Sequence, residues 1–213
     1  MHRPLDSSCT LQLLNFKTAD PASVNRAFWR SCSFILGAVL QRIFKDDAGL
    51  FLHSFPKPNV RSGSFIHDFA LNEKNWKPTV LELKTISIEM QKFAHENHKF
   101  ERLTVNHDVA FEMFKDNPFK REQLPNISNS HNGQVTLYRA SNHIDISGGP
   151  MIGNTSVFQR SRISAVHKVS REEDTCNLYR IQGIALPSGF NLSYYAMNLL
   201  ADRAKKLVIY SFL

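Results

Sequence analysis

Few residue groupings in this chain of 213 residues have the types and spacing that catalysis or metal binding requires. His95 and His98 are three residues apart at the end of a predicted helix, but the sequence indicates no third ligand for a shared metal ion. His67 and Asp68 are neighbours on a predicted strand, so their side chains point to opposite faces and cannot form a local acid-base pair. We therefore interpret His95 and His98 as solvated polar residues and predict no metal site.

Serine hydrolase chemistry has no positive support in the sequence. Ser33, Ser64 and Ser147 lack the G-x-S-x-G turn and a nearby oriented histidine. The glycines of the segment Ser147-Gly148-Gly149-Pro150 permit a close backbone approach directly after a predicted strand. Because neither a helix nor a lysine follows the two glycines, the segment is typical of a structural turn rather than of a phosphate-binding loop.

Positive charge after residue 158 gives the best candidate for an RNA contact. Arg160, Arg162, Lys168 and Arg171 lie in what the sequence predicts to be a short polar loop, and neighbouring hydroxyls also suit phosphate oxygens. The chain has 26 Lys and Arg against 19 Asp and Glu, a net charge of +7, which favours an acidic partner such as RNA. An exposed basic loop without a partner is the alternative, and charge alone does not decide between them.

The elements that must position these residues alternate unevenly between helix and strand. Apolar residues that include Phe28, Ile35 and Val39 recur at helical spacing and predict a long helix over 21–45 with Asp20 as its N-cap. Further patterns predict helices at 79–94, 108–115 and 193–207 and strands at 49–54, 64–71, 100–105, 134–139, 143–146 and 178–185, with a polar loop over 126–133. We predict an α+β fold in which a mostly antiparallel sheet wraps around the first long helix.

The cysteines and the apolar segments indicate no disulfide framework and no membrane span. Cys9, Cys32 and Cys176 are widely separated and form no C-x-x-C pair, which is typical of reduced thiols. No apolar run is long enough for a transmembrane helix, and the N-terminus shows neither a signal peptide nor a mitochondrial presequence. We expect no membrane among the partners.

Three phrases, in the order in which they occur, resemble the editing region of threonyl-tRNA synthetase. In that family the first long helix carries H-x-x-x-H, a phrase like P-Y-K-x-E-L follows a short helix, and D-x-C-x-G-P-H follows a strand. The matching phrases here run from Arg30 to Phe34, from Pro118 to Leu124 and from Asp145 to Met151. The resemblance implies an editing-domain-like fold over 20–213, with 1–19 as the end of a small TGS domain.

The same resemblance implies that the chemistry of the editing site has been lost. The four positions that carry His, His, Cys and His in the synthetase are occupied here by Arg30, Phe34, Ser147 and Met151. Phenylalanine offers no lone pair and a guanidinium stays protonated, so neither can bind a metal or move a proton. Lys120 and Asp145 match charged positions of the pocket, and we expect them to pair with Arg30 or neighbouring groups. The implied site has no catalytic residue, no metal and no cofactor.

One family combines a synthetase-like editing region with a degenerate motif, the mitochondrial large-subunit ribosomal protein thirty-nine family, and segments such as Ile144 to Pro150 are similar to it. The resemblance implies a structural role in the large ribosomal subunit of the mitochondrial matrix. The implied partners are ribosomal RNA and neighbouring ribosomal proteins, with tRNA as a further candidate. A free-standing editing hydrolase or a tRNA-binding module remains the alternative. The class II aminoacylation motifs are missing, and the chain starts inside the TGS remnant, which indicates a shortened form or a fragment.

Overall fold

The computed structural model describes residues 7–10, 12–17, 21–57, 63–169 and 177–209, with side chains as far as residue 205. The helices within these ranges are α1 (Ala22–Ile43), α2 (Val80–His95), α3 (His107–Met113), α4 (Pro118–Asn129) and α5 (Tyr194–Ile209). The strands are β1 (Phe51–Ser54), β2 (Phe65–Leu71), β3 (Glu101–Asn106), β4 (Gln134–Ala140), β5 (His143–Ile146), β6 (Phe158–Lys168) and β7 (Asn177–Pro187). In the described part of the chain, no helix is long and apolar enough to cross a membrane.

The strands form two antiparallel sheets where the sequence predicted one. One sheet has the order β1-β2-β7-β6 and the other the order β3-β4-β5, and the pairs of strands within them are antiparallel. The predicted direction of pairing is therefore confirmed, and the single sheet is wrong. The physical reason is a second small core of Ala110, Leu124, Val135 and Leu137, through which part of β4 packs against α3 and α4.

Helix α1 is the central element of the main core. Residues 31–40 are buried without interruption, so the helix is covered on nearly all sides rather than along one stripe. Phe28, Ile35 and Val39 are at most 1% exposed, which confirms the apolar stripe predicted for this helix. Pro21 lies just before the helix, and the predicted N-cap Asp20 lies outside the described residues.

Helix α4 was not predicted from the sequence, because the pair Asn117-Pro118 can end a helix as well as begin one. The side-chain oxygen of Asn117 accepts hydrogen bonds from the backbone N–H groups of Phe119 and Lys120 at 3.1 Å, which makes this residue the N-cap of a new helix. Pro118 then occupies the first turn, where its missing N–H has no cost. Half of the predicted polar loop at 126–133, residues 126–129, is therefore the end of α4.

Strand β6 replaces the polar loop that was predicted to carry the basic residues. It pairs with β7 from Phe158 to Lys168, and Phe158 and Ile163 are buried in the main core. Ser161 and Ser164 are also buried, so hydroxyl side chains occupy inward positions at which apolar residues are expected. This composition hides the alternation by which a strand is recognised.

Candidate functional site

Lys120 and Asp145 form a buried ion pair between the first turn of α4 and strand β5. Their side chains are 4% and 1% exposed, and the ammonium group donates directly to Oδ1 of the carboxylate. Burial acts to raise the pKa of Asp145, but the positive charge of Lys120 overcomes it and holds the pKa below its ordinary value. Of the two expected alternatives, Arg30 or a neighbouring group, the structure shows the second, because the two residues pair with each other.

Two buried histidines, His67 and His143, lie near this pair, and neither of them was assigned to this site from the sequence. Nδ1 of His67 is 2.9 Å from the carbonyl oxygen of Ser33, and Nδ1 of His143 is 2.6 Å from Oε1 of Gln41. Burial lowers the pKa of both rings, that of His143 to about 4, so both are neutral at pH 7. Within the described structure, Nε2 of each ring has no hydrogen-bond partner.

Strand alternation was the one signal that could have revealed this cluster. His143 and Asp145 are two residues apart on β5 and so share a face of the sheet. The rejection of His67 and Asp68 as a dyad is confirmed, because Asp68 instead accepts two hydrogen bonds of 2.7 Å from Arg180. The local sequence contains no signal for the contacts of His67 with α1, which depend on tertiary packing.

The four positions that carry the editing chemistry in the synthetase lie on α1 and on the loop that follows β5. Nη1 of Arg30 donates to the carbonyl oxygen of Pro150 at 3.2 Å, and Sδ of Met151 is 3.5 Å from the hydroxyl of Ser31. The ring of Phe34 packs edge-on against His143, with a distance of 4.6 Å between centroids. The helix and the loop thus meet, but the side chains are engaged in packing and backbone contacts.

Ser147 does not have the surroundings of a nucleophile. Ser147 is 8% exposed, and its hydroxyl accepts a hydrogen bond of 3.3 Å from the backbone N–H of Gly149. Gly149 has a φ of +65°, and a Cβ there would collide with the hydroxyl of Tyr138. The close backbone approach predicted for this segment is therefore present at Gly149, against Tyr138 of β4, whereas residues 147–150 are irregular and contain no regular turn.

Metal ligands do not converge anywhere in the described residues. In those ranges the structure contains no group of three or more His, Cys, Asp or Glu side chains that could hold an ion. His95 is exposed, and Nε2 of His98 is 2.6 Å from Glu96. Cys32 is a buried free thiol and Cys9 an exposed one, whereas Cys176 lies outside the described residues.

An open cleft of about 370 Å³ reaches the buried ion pair from outside. It lies where the end of α1 faces β1, α4 and β5. Its polar lining comprises Gln41, Asp116, Asn117, Lys120, Asn142 and Asp145. Oδ2 of Asp145 is buried and has no hydrogen-bond partner among the described residues, so the pair retains an unused acceptor beside the cleft.

The predicted RNA-contact residues are spread along β6. Nη1 of Arg160 donates to the carbonyl oxygen of Leu192 at 3.1 Å, and Arg162 donates to Oδ1 of Asn198 on α5. Lys168 is at the other end of the strand, roughly 26 Å from Arg160 if each residue of a strand adds 3.3 Å. Nζ of Lys168 donates to Oδ1 of Asn75 at 3.2 Å. Arg171 lies outside the described residues. These side chains do not form one compact patch.

Comparison with known proteins gives a strong match to a ribosomal protein. The chain is 56% identical over 206 residues, 97% of its length, to the large ribosomal subunit protein mL39 of Drosophila melanogaster. This chain is similar to mL39 almost from end to end. It spans 62% of the length of mL39, less than two thirds of that relative.

A weaker match links the same residues to threonine-tRNA ligases. The chain is 31% identical over 196 residues to the probable threonine-tRNA ligase 1, cytoplasmic, of Dictyostelium discoideum, covering 91% of the chain and 26% of the ligase. It is 31% identical over 209 residues to the threonine-tRNA ligase, mitochondrial 1, of Arabidopsis thaliana, covering 97% of the chain and 27% of the ligase. No family model matches the chain. The similarities to mL39 and to the ligases confirm both resemblances inferred from the motifs.

Proposed function

We propose that this chain is a structural constituent of the mitochondrial large ribosomal subunit and has no catalytic activity. The observation that carries the proposal is the 56% identity to mL39 over 97% of the chain. Support for an inactive editing domain comes from Arg30, Phe34, Ser147 and Met151, which stand where the resemblance implies His, His, Cys and His. None of these four side chains offers an imidazole or a thiolate.

In this proposal 20–213 form the editing-domain-like unit and 1–19 are the remnant of a TGS domain. The similarity to the ligases over about 90% of the chain supports the editing-like assignment. Phe16 packs edge-on against Phe28 of α1, with 5.6 Å between ring centroids, and also against Phe190. In this proposal Phe16 would hold the end of the remnant against the editing-like unit.

The proposed partners are mitochondrial ribosomal RNA and adjacent ribosomal proteins, and the proposed location is the mitochondrial matrix. The net charge of +7 suits an RNA partner. Arg160, Arg162, Lys168 and Arg171 remain candidate contacts. Arg160 and Arg162 contact the residues at and just before α5, whereas Lys168 lies at the far end of β6. We therefore expect Arg160 and Arg162 to form one RNA contact and Lys168 to form a second.

Co-sedimentation tests the proposal. A tagged chain expressed in mitochondria should migrate with the large subunit in a sucrose gradient and should stay with it at moderate salt. A chain that remains at the top of the gradient while the subunit assembles normally would contradict the proposal. A tRNA-binding module is the second candidate, since the cleft beside Lys120 and Asp145 is open. That alternative predicts tRNA binding without deacylation by a chain that does not migrate with the subunit.

A further inference from the structure

Two arginines, Arg30 and Arg102, lie close to the buried Tyr138 where α1 meets the segment after β5, and a third, Arg26, lies beside Arg30. Arg102 of β3 is directly opposite Tyr138 of β4 in the antiparallel register, so the two side chains share one face of the sheet. Arg30 reaches the same turn from α1 through its hydrogen bond to the carbonyl oxygen of Pro150. Arg26 is one helical turn before Arg30 on the same side of α1.

The hydroxyl of Tyr138 lies against Gly149, next to the Pro150 carbonyl that accepts from Arg30, and the electrostatics of Tyr138 and Arg30 agree with this placement. Burial raises the pKa of Tyr138, while Arg102 and Arg30 both act in the opposite direction because they are close to its hydroxyl. Burial also lowers the pKa of Arg30, with an opposing contribution from Tyr138 and a further lowering by the charge of Arg26. The guanidinium groups of Arg26 and Arg30 are thus close enough to repel each other.

None of these arginines is neutralised by an acidic side chain in the described residues. Arg26 donates to the hydroxyl of Ser23 at 3.0 Å, Arg30 to a backbone carbonyl, and Arg102 to the hydroxyl of Thr136 at 3.4 Å. Other surface arginines do have such partners: Arg42 pairs with Glu96 and Arg139 with Glu101. Glu101 is the neighbour of Arg102 but faces the other side of β3, so it cannot screen Arg102.

We propose that Arg26, Arg30 and Arg102 form a binding site for phosphate groups of an RNA backbone. Guanidinium groups bind phosphate oxygens by paired, charge-assisted hydrogen bonds. Arg26 and Arg30 are about 5–6 Å apart between Cβ atoms, as one helical turn requires, so they can meet neighbouring phosphates of one strand. The choice of RNA as the polyanion rests on the proposed ribosomal function.

Binding of a labelled RNA by the purified chain tests this site. The probe is a fluorescein-labelled single-stranded RNA of 20 nucleotides, with anisotropy measured at several KCl concentrations. Arg30→Gln/Arg102→Gln should bind at least tenfold more weakly than the parent chain. The loss of two phosphate contacts should also reduce the slope of log K against log salt by about 1.4 for a single strand. Glutamine keeps an N–H donor at position 30 for the carbonyl oxygen of Pro150.

The matched control is Arg42→Gln/Arg139→Gln, which removes one positive charge from α1 and one from the three-stranded sheet. Both arginines pair with glutamates, so neither belongs to the proposed site. It should bind RNA within about twofold of the parent. Equal weakening by both double variants would overturn the site, since only net charge would then matter. Displacement of the RNA by polyglutamate at matched charge would likewise overturn it in favour of an acidic protein partner.

A single variant and a separate co-sedimentation measurement complete the test. If the double variant fails to fold, Arg102→Gln alone changes an exposed residue and should reduce the salt slope by about 0.7. An unchanged slope in this folded variant would overturn the site. Co-sedimentation of the parent chain with the large subunit is measured separately. Its failure would refute the ribosomal role, whereas the anisotropy results judge the phosphate site independently.

Discussion

The imidazole of His67 fills the space that a side chain at Gly37 would occupy. A Cβ built on Gly37 would be 2.7 Å from Cε1 of His67 and 3.3 Å from Cδ1 of Leu52. This close approach allows β2 to lie against α1, and it accounts for a glycine in the middle of a buried helix. It also brings His67 to the carbonyl oxygen of Ser33, one turn earlier on α1.

We predict that Gly37→Ala destabilises the protein although alanine is the better helix former. Alanine should contribute about 1 kcal/mol through helix propensity, but overpacking against His67 and Leu52 should cost about 1–3 kcal/mol. The free energy of unfolding in urea should therefore fall. Gly153→Ala is the matched control, because a Cβ there would meet no atom within 4 Å. A stabilised Gly37→Ala variant would contradict the packing described for this contact.

The Lys120–Asp145 pair should show strong coupling in a double-mutant cycle. Lys120→Met and Asp145→Asn should each cost about 3–5 kcal/mol, because each leaves the other polar group buried without its partner. The double variant should cost clearly less than the sum of the two. The exposed pair of Arg139 and Glu101 is the control and should show no measurable coupling. Additive effects at Lys120 and Asp145 would show that the two groups do not depend on each other.

Acid should weaken the fold through His143. The pKa of its ring is about 4 in the folded protein, against an ordinary value of 6.5, so between these values only the unfolded chain takes up the proton. The corresponding stability is fully present above about pH 6.5 and is lost as the pH falls towards 4, about 3 kcal/mol for this group. The pKa of His67 is lowered as well and acts in the same direction.

Denaturation at a series of pH values measures this effect. His143→Gln should flatten the pH dependence of the free energy of unfolding between pH 4 and 6.5, whereas the exposed His131→Gln should leave it unchanged. The same slope in the parent chain and in His143→Gln would rule out a neutral buried ring at position 143 as the source.

No deacylation of mischarged threonine-specific tRNA is expected. The turnover rate of the purified chain should equal the uncatalysed rate, and Ser147→Ala should not change it, since among the described residues the hydroxyl of Ser147 is hydrogen-bonded to the N–H of Gly149 and not to a base that could take up its proton. Metal analysis should find no stoichiometric zinc. Turnover above background that is lost in Ser147→Ala would contradict the inactive-enzyme account.

The sequence predicted those elements whose signals are local. The stripe of Phe28, Ile35 and Val39 identified α1 because its burial follows helical spacing. Helix α4 was missed because the pair Asn117-Pro118 can end a helix or begin one. The burial of Leu124, which the sequence does not reveal, distinguishes the two cases. Strand β6 was missed because its inward positions include Ser161 and Ser164 rather than apolar residues.

The candidate site was only partly predictable for a different reason. Lys120 and Asp145 were identified by their resemblance to the synthetase, but their pairing joins α4 to β5, which no sequence spacing specifies. His143 could have been grouped with Asp145 by strand alternation. The arginines around Tyr138 come from α1 and β3, more than seventy residues apart, and only the register of β3 with β4 brings Arg102 to Tyr138.

A structure of the assembled mitochondrial large ribosomal subunit that contains this chain tests the central claim most directly. The account predicts that the fold described here is present as an integral component, that Arg30 and Arg102 contact ribosomal RNA phosphates, and that the positions of Arg30, Phe34, Ser147 and Met151 hold neither a metal ion nor an aminoacylated tRNA end. A complete subunit that lacks this chain, or a subunit in which these four positions hold an aminoacylated tRNA end, would contradict it.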